Sequence, residues 1–350
     1  MASRASLPAK RGRKSHDDWA ELPENELLEV RLRDLGLTLK GTWLEAQLCQ
    51  LNGELKARGI RVQPHGWLSD EWFSPHVSPG VAFPFYLAHP RLMRLERKMM
   101  HEVEGGTQRE CMRLLRHEAG HVVQRAYALH RRRKWLRLFG RSARPYPVAY
   151  RPNPASRKHV QYLRRWYAQC HPDEDFAETF AVWLSPRSNW RERYQGWPAL
   201  KKLEYVDELM AEIAGVRPAL TRRVEVDPLH ALRGTLASHY RDKIARYAID
   251  APTFFDRDLK RIFSEDGEGP SAAAFIRRNR IVVRNSVAKW SGEYPVALDA
   301  AFGDMMHRCR VLQLRASGSA RKMRLDLTAL MSTKAVVTLY GSSRRQSFAV

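Results

Sequence analysis

Apolar residues recur every three or four positions along most of the chain, which is the spacing of an amphipathic helix. Residues 42–58 show it clearly, and Gly59 follows as a typical terminator. A capping-box pattern, Thr107 with Glu110, predicts the start of another helix. The full set of predicted helices covers residues 24–35, 42–58, 91–102, 107–129, 156–170, 172–184, 198–214, 228–248, 254–264, 271–290 and 295–315.

Two short segments favour extended structure instead. Residues 81–87 have the composition of a strand, but Pro84 lacks a backbone N–H, which limits the segment to an edge strand or an extended loop. An edge strand there could hold an extended substrate, although a packed aromatic loop fits equally well. Residues 335–340 are a second strand candidate. The predicted fold class is therefore mainly α with a small, irregular β element.

Composition excludes several classes of protein. The chain has 350 residues, 44% hydrophobic and 28% charged, which excludes a disordered or collagen-like chain. No run of about eighteen apolar residues occurs, so no membrane span is expected, and the first residues lack the apolar core of a secretory signal. The four cysteines lie far apart, which argues against a disulfide scaffold and favours a reducing, cytoplasmic location.

The charge is unusual, because the formal net charge is +22. Such a surface attracts anions, so a nucleic acid or an acidic protein is a candidate partner. Residues 1–20 form a predicted flexible basic arm, and residues 122–173 carry thirteen Lys or Arg against one acid, Asp173. The latter segment could line a cleft and favour acidic substrates, or form a solvated basic face.

The sharpest motif, His117-Glu-Ala-Gly-His121, lies inside the predicted helix 107–129. Residues four apart share a face of a helix, so both imidazoles can reach one metal ion from neighbouring turns. Glu118 lies about 100° around the helix from His117, beside the ion, where its carboxylate can take a proton from an attacking water molecule. The alternative is two histidines on a solvated helix face.

A catalytic zinc site usually needs a third protein ligand. The metzincin continuation fails, because Gln124 and Tyr127 stand where that pattern requires Gly and His. Residues 172–184 offer two candidates, Glu174 and Glu178, four apart at the edge of an apolar helix face. Carboxylates in that position need a cation or hydrogen-bond partners. Spacing alone does not decide between the two, and both could instead be solvated or paired with arginine.

These motifs together resemble zincin metallopeptidases of the gluzincin type. More narrowly, the chain is similar over roughly residues 20–214 to a bacterial family described as putative zinc-binding metallopeptidases. The similarity rests on residues 71–75 (EWFSP), 82–91 (AFPFYLAHPR), 116–121 (RHEAGH), 166–180 (WYAQCHPDEDFAETF) and 196–207 (GWPALKKLEYVD).

The resemblance implies roles for further residues. The anthrax lethal factor type has a similar Glu-x-Phe-Ala-Glu pattern whose first glutamate binds the metal, which makes Glu174 the third ligand. Glu178 would then accept a hydrogen bond from a ligand histidine and fix its tautomer. Tyr167 matches a tyrosine placed similarly in that type and could donate to the developing oxyanion, or it could be a core aromatic residue. His171 is a weaker candidate for that donor, and before Pro172 it could instead end one helix and position the next.

The sequence thus predicts a zincin-like catalytic domain at residues 21–216 and a helical domain of unknown role at residues 217–350. The leading hypothesis is a Zn²⁺-dependent metallopeptidase that cleaves a protein or peptide substrate. Its metal ligands are His117, His121 and Glu174, and its general base is Glu118. Two alternatives remain: a basic nucleic-acid-binding protein with structural or no zinc, and a catalytically idle zincin fold that only binds.

Overall fold

The structure is a computed structural model that describes residues 18–147, 149–150, 152–247, 255–340 and 348–349. Most of the predicted basic arm, residues 1–17, lies outside the described residues. The α-helices of the described part are, in chain order, α1 (Glu24–Leu28), α2 (Trp43–Ala57), α3 (Pro90–Met100), α4 (Gln108–Ala126), α5 (Arg133–Leu138), α6 (Pro172–Leu184), α7 (Trp190–Arg193), α8 (Leu200–Ile213), α9 (Leu236–Tyr247), α10 (Asp256–Ile262), α11 (Ala272–Ser291), α12 (Pro295–Val311) and α13 (Ala320–Tyr340).

The strands are short. β1 (His65–Ser69) pairs in parallel with β2 (Gly80–Pro84), and β3 (Ala149–Tyr150) pairs antiparallel with β4 (Phe348–Ala349). The predicted class, mainly α with a small β element, is confirmed.

Of the two alternatives for residues 81–87, a substrate-binding edge and a packed segment, the structure fits the second. β2 pairs with β1 on one side. On the other side Ala82 forms an isolated β-bridge with Phe73 and donates its N–H to the Phe73 carbonyl oxygen at 2.8 Å. Every residue of β2 is buried. β2 is therefore a buried strand with a chain partner on each side, and not an exposed edge to which a substrate strand could add.

Helices α4 and α6 pack against each other in the hydrophobic core. Each begins at a polar residue that lies directly before it in the sequence. The Thr107 hydroxyl accepts the N–H of Glu110 and starts α4. His171 accepts the N–H of Asp173 and starts α6, with Pro172 at its first position. Every residue of α6 is buried, which makes it the central helix of this part of the fold.

Four predicted elements differ from the structure. The helix expected over 228–248 begins only at Leu236, after a 3-10 turn at Leu229–Ala231. The helix expected over 24–35 divides into α1 and a 3-10 turn (Leu32–Leu35), because Arg31 between them forms a β-bridge with Thr235. Residues 156–170 contain only a 3-10 helix (Arg164–Gln169), interrupted by left-handed conformations at Arg165 and Trp166. The strand expected over 335–340 is instead the end of α13.

The described residues form two large hydrophobic clusters. The first runs from Trp19 to Tyr240 and includes Val296 from α12. The second runs from Phe255 to Ala335 and holds α10 to α13 together. The division into domains at residue 216 stays a prediction. Within the described residues, no helix is long and apolar enough to cross a membrane.

Candidate metal centre and cleft

Helices α4 and α6 bring three buried donor atoms to one point. The Oε2 atom of Glu174 lies 3.0 Å from Nε2 of His117 and 3.2 Å from Nε2 of His121. The two imidazole Nε2 atoms are 3.2 Å apart. The three residues, with Glu174 lying 53 positions after His121, could therefore hold a metal ion.

The donor set fits zinc. In a tetrahedral site with zinc–ligand distances of about 2.0–2.1 Å, neighbouring donors lie about 3.3–3.4 Å apart, close to the distances seen here. Two neutral imidazole nitrogens that face each other cannot both act as acceptors, so the site needs a proton or a cation among them. Two histidines with one carboxylate is a common ligand set of catalytic zinc.

The charges of the site are coupled. Burial by itself would raise the pKa of Glu174, but the two imidazoles outweigh burial and hold that pKa well below its usual range. Burial likewise disfavours a charged His117, yet the hydrogen bond and charge of Glu174 raise the pKa of this histidine to about 9. The carboxylate is therefore ionised and attracts a positive charge to the donor atoms.

The predicted contact of Glu178 with a ligand histidine is not formed. Its two oxygens accept the backbone N–H groups of Tyr162 and Leu163, at 3.3 and 3.1 Å. The Nδ1 atoms of His117 and His121 have no hydrogen-bond partner among the described residues. The reason is that residues 160–163 are not helical as expected, so their N–H groups need acceptors, and Glu178 supplies them. Burial raises the pKa of Glu178 to about 7.

Glu118 faces the cavity beside the donors, although it is itself buried. Its Oε2 atom has no hydrogen-bond partner in the part of the chain that the structure describes. Its carbonyl oxygen receives a hydrogen bond from Ser74 at 3.3 Å, which ties this turn of α4 to the cleft wall. A buried carboxylate oxygen without a protein partner is able to accept a proton from a molecule in the cavity.

Tyr146 is a site residue that sequence reasoning missed. Its hydroxyl donates to Oε1 of Glu174 at 2.8 Å, so only Oε2 points to the histidines. The phenol ring stacks on His171, with ring centroids 3.9 Å apart. The only signal in the sequence is a tyrosine between Pro145 and Pro147 in the segment that joins α4 and α6.

His171 connects this tyrosine to α6. Its Nε2 atom lies 2.7 Å from the carbonyl oxygen of Arg144 and must donate to it, because a carbonyl only accepts. Its Nδ1 atom is therefore free to accept the N–H of Asp173 at the start of α6. The expectation that His171 positions the second helix is confirmed.

Tyr167 lies in the same cavity but on the 3-10 helix that replaces the predicted α-helix. Its ring centroid is 5.8 Å from that of His117. Burial, and then the nearby charge of Glu174, raise the pKa of its phenol well above the usual value. Tyr167 is thus a neutral hydrogen-bond donor beside the metal donors.

The cavity around these residues has a volume of about 930 Å³. One wall comes from residues after α4 and before α6, and another comes from beyond residue 217, through Arg246, Arg284 and Tyr294. Part of the basic segment 122–173 does not line the cleft as the sequence suggested. Arg132 and Lys134 of this segment pair instead with Glu212 and Glu208 of α8.

Comparison with known families agrees with this site. Residues 91–192 match the model of a family described as "Putative zinc-binding metallo-peptidase". The matched segment contains α4 and α6 and every residue of the donor set, together with Tyr146 and Tyr167. The predicted family resemblance is confirmed over this segment. No curated protein and no solved structure is significantly similar to the chain.

Proposed function

We propose that this protein is a zinc-dependent metallopeptidase, with the ion held by His117, His121 and Glu174. The observation that carries the proposal is the convergence of these three buried donors on one point, with a separate, unpartnered carboxylate oxygen of Glu118 on the same helix. The family match to residues 91–192 supports both the metal and the reaction class.

Each residue has a distinct task in this proposal. A zinc ion in this position would polarise a peptide carbonyl and acidify water. Glu118 takes a proton from the attacking water and passes it to the leaving amine. Tyr167 donates a hydrogen bond to the carbonyl oxygen as negative charge develops there. Tyr146 holds the second oxygen of Glu174 away from the donor point.

Two variants separate metal binding from hydrolysis. Glu118→Gln should retain one zinc per chain and lose hydrolysis of an unfolded protein, because it removes the base but no ligand. His121→Ala should lose the zinc itself. His230→Ala, at an exposed histidine away from the cavity, is the matched control and should behave as the wild type. If wild-type protein binds no zinc, or if His121→Ala keeps both zinc and turnover, the proposal is wrong.

The two alternatives predict different results. Stoichiometric zinc without hydrolysis of any peptide would favour a zincin fold that only binds. Nucleic-acid binding that weakens steeply between low and physiological salt, in protein without peptidase activity, would favour the basic binding protein.

A further inference from the structure

Helix α4 presents four residues at four-residue intervals to the cavity: Arg113, His117, His121 and Arg125. Residues at this spacing form one stripe along a helix, about 6 Å apart from turn to turn. An arginine therefore flanks the two metal-binding histidines on either side. A peptide that lies along the cleft would pass one of these arginines close to the reacting bond.

The two arginines differ in what they already bind. Arg125 donates to the carbonyl oxygen of Ser74, on the wall of the cavity. Arg113 is half-buried, and among the described residues it forms no hydrogen bond and no ion pair. Its guanidinium lies over the face of the Tyr162 ring, 5.3 Å from the ring centroid. Arg113 thus keeps its planar set of N–H donors for another partner.

Two carboxylates near Arg113, those of Glu110 and Glu178, have other partners. Glu110, three residues before Arg113, faces Arg164. Glu178 accepts the two backbone N–H groups described above. Other cavity arginines have acidic partners: Arg164 and Arg165 pair with Glu102, Arg246 with Glu71, and Arg284 with Asp299. Among the described residues Arg97 has no acidic partner either, but it is exposed on α3.

We propose that Arg113 binds a carboxylate of the substrate and so selects acidic peptides. The inference rests on the proposed function and names its substrate class. A guanidinium pairs with a carboxylate through two parallel N–H···O bonds, and a partly buried cation gains most from such a pair. The carboxylate can belong to an Asp or Glu side chain or to the carboxyl terminus of the peptide.

The test is peptide binding rather than turnover. Zinc-loaded Glu118→Gln protein is titrated with an unstructured fluorescent peptide that has a central Glu, and with the same peptide carrying Gln instead. Each is made with a free or an amidated carboxyl terminus. The peptide with the carboxylate that Arg113 binds should bind about tenfold more tightly than its neutral counterpart. A difference between the Glu and Gln peptides identifies a side-chain carboxylate, and a difference between the free and amidated peptides identifies the carboxyl terminus.

Variants of Arg113 decide whether this residue is responsible. In the same background, Arg113→Gln should reduce the ratio of the two dissociation constants to about one. Arg113→Lys, which keeps the charge and the contact with Tyr162, should keep part of the preference. Arg109→Gln, at an exposed arginine one turn earlier, should leave the ratio unchanged. Circular dichroism checks that each variant is folded.

The inference is wrong if the ratio of the two dissociation constants is the same with Arg113, Arg113→Lys and Arg113→Gln. It is also wrong if all four peptides bind equally well. Because the readout is binding to a variant that cannot hydrolyse, its result does not depend on peptidase activity. If the protein prefers acidic peptides but the wild type hydrolyses none, this inference stands and the proposed function is wrong. If the wild type hydrolyses peptides without that preference, the proposed function stands and this inference is wrong.

Discussion

A Cβ atom at position 120 would lie 2.7 Å from the Cα atom of Ala177, so α4 and α6 touch backbone to backbone at Gly120. Gly120 immediately precedes His121, and Ala177 lies between Glu174 and Glu178. This contact sets the separation of the two helices at the level of the metal donors. Only glycine allows it, because the neighbouring atoms are backbone and cannot move aside as a flexible side chain would.

Gly120→Ala should therefore destabilise the fold by about 1–3 kcal/mol, the usual cost of overpacking, and weaken zinc binding by moving Glu174 away from the histidines. Urea unfolding and chelator competition measure the two effects. Gly53→Ala is the control, because Gly53 is exposed within α2 with open space around it; this change should be neutral or should stabilise by about 0.5–1 kcal/mol. Wild-type stability in Gly120→Ala would contradict the contact.

Tyr146→Phe should weaken zinc binding by about tenfold or more, because it removes the hydrogen bond that orients the ligand carboxylate. The ring and its stack on His171 remain, so the free energy of unfolding should change little. Tyr127→Phe removes a phenol that bonds Val216 at the surface and serves as the control. Equal zinc affinity in both variants would show that Glu174 is oriented without Tyr146.

Arg165 connects the segment of Tyr167 to the turn between α11 and α12. Its Nε atom donates to the carbonyl of Gly292 at 2.6 Å, and its guanidinium lies 3.3 Å from the ring centroid of Tyr294. The backbone of Arg165 is in the left-handed region, with φ at 62°. Residues other than glycine adopt this conformation at an energetic cost. The contacts with the C-terminal region hold this conformation.

Arg165→Ala should lower kcat by about 10- to 100-fold while zinc stays stoichiometric, because Tyr167 loses its positioning and the ligands keep theirs. Hydrogen exchange of residues 164–169 should accelerate, and that of α4 should not. Arg187→Ala, at another arginine with positive φ, controls for the backbone effect. Unchanged exchange and unchanged kcat would show that the C-terminal contact has no part in the site.

Zinc affinity should depend on pH through His117. Its pKa in the metal-free protein is about 9, against about 6.5 in an unfolded chain, so its charged form stabilises the metal-free fold fully below pH 6.5, and this contribution is lost as the pH rises through 9. Zinc must displace that proton, so its affinity should rise about tenfold per pH unit between pH 7 and 8. Chelator competition measures the slope, and Glu174→Gln should flatten it.

Local patterns in the sequence were sufficient to predict α4 and α6. His117 and His121 are related by one helical turn, and the starts of α4 and α6 are fixed by residues next to them, so both helices could be predicted within a few residues. The pairing of Glu174 with these histidines required the family resemblance, because contacts between distant segments leave no periodicity in the sequence.

The same reason explains the failures. Residues 156–170 have a helix-forming composition, but Glu178 binds their backbone N–H groups and the C-terminal region holds Arg165 left-handed. Tyr146 reaches Glu174 from 28 residues away, and β2 is a buried strand that Phe73 bridges at Ala82 on its second side. Each is a tertiary contact that overrides local preference.

His171 connects three parts of the site through one side chain. One imidazole caps the helix that carries Glu174, anchors the loop at Arg144 and supports the ring of Tyr146. In a double-mutant cycle, the energetic effects of changing Tyr146 and His171 should therefore not add. Natural variation at these two positions should be correlated, and a redesign of the ligand arm would have to replace them as a pair.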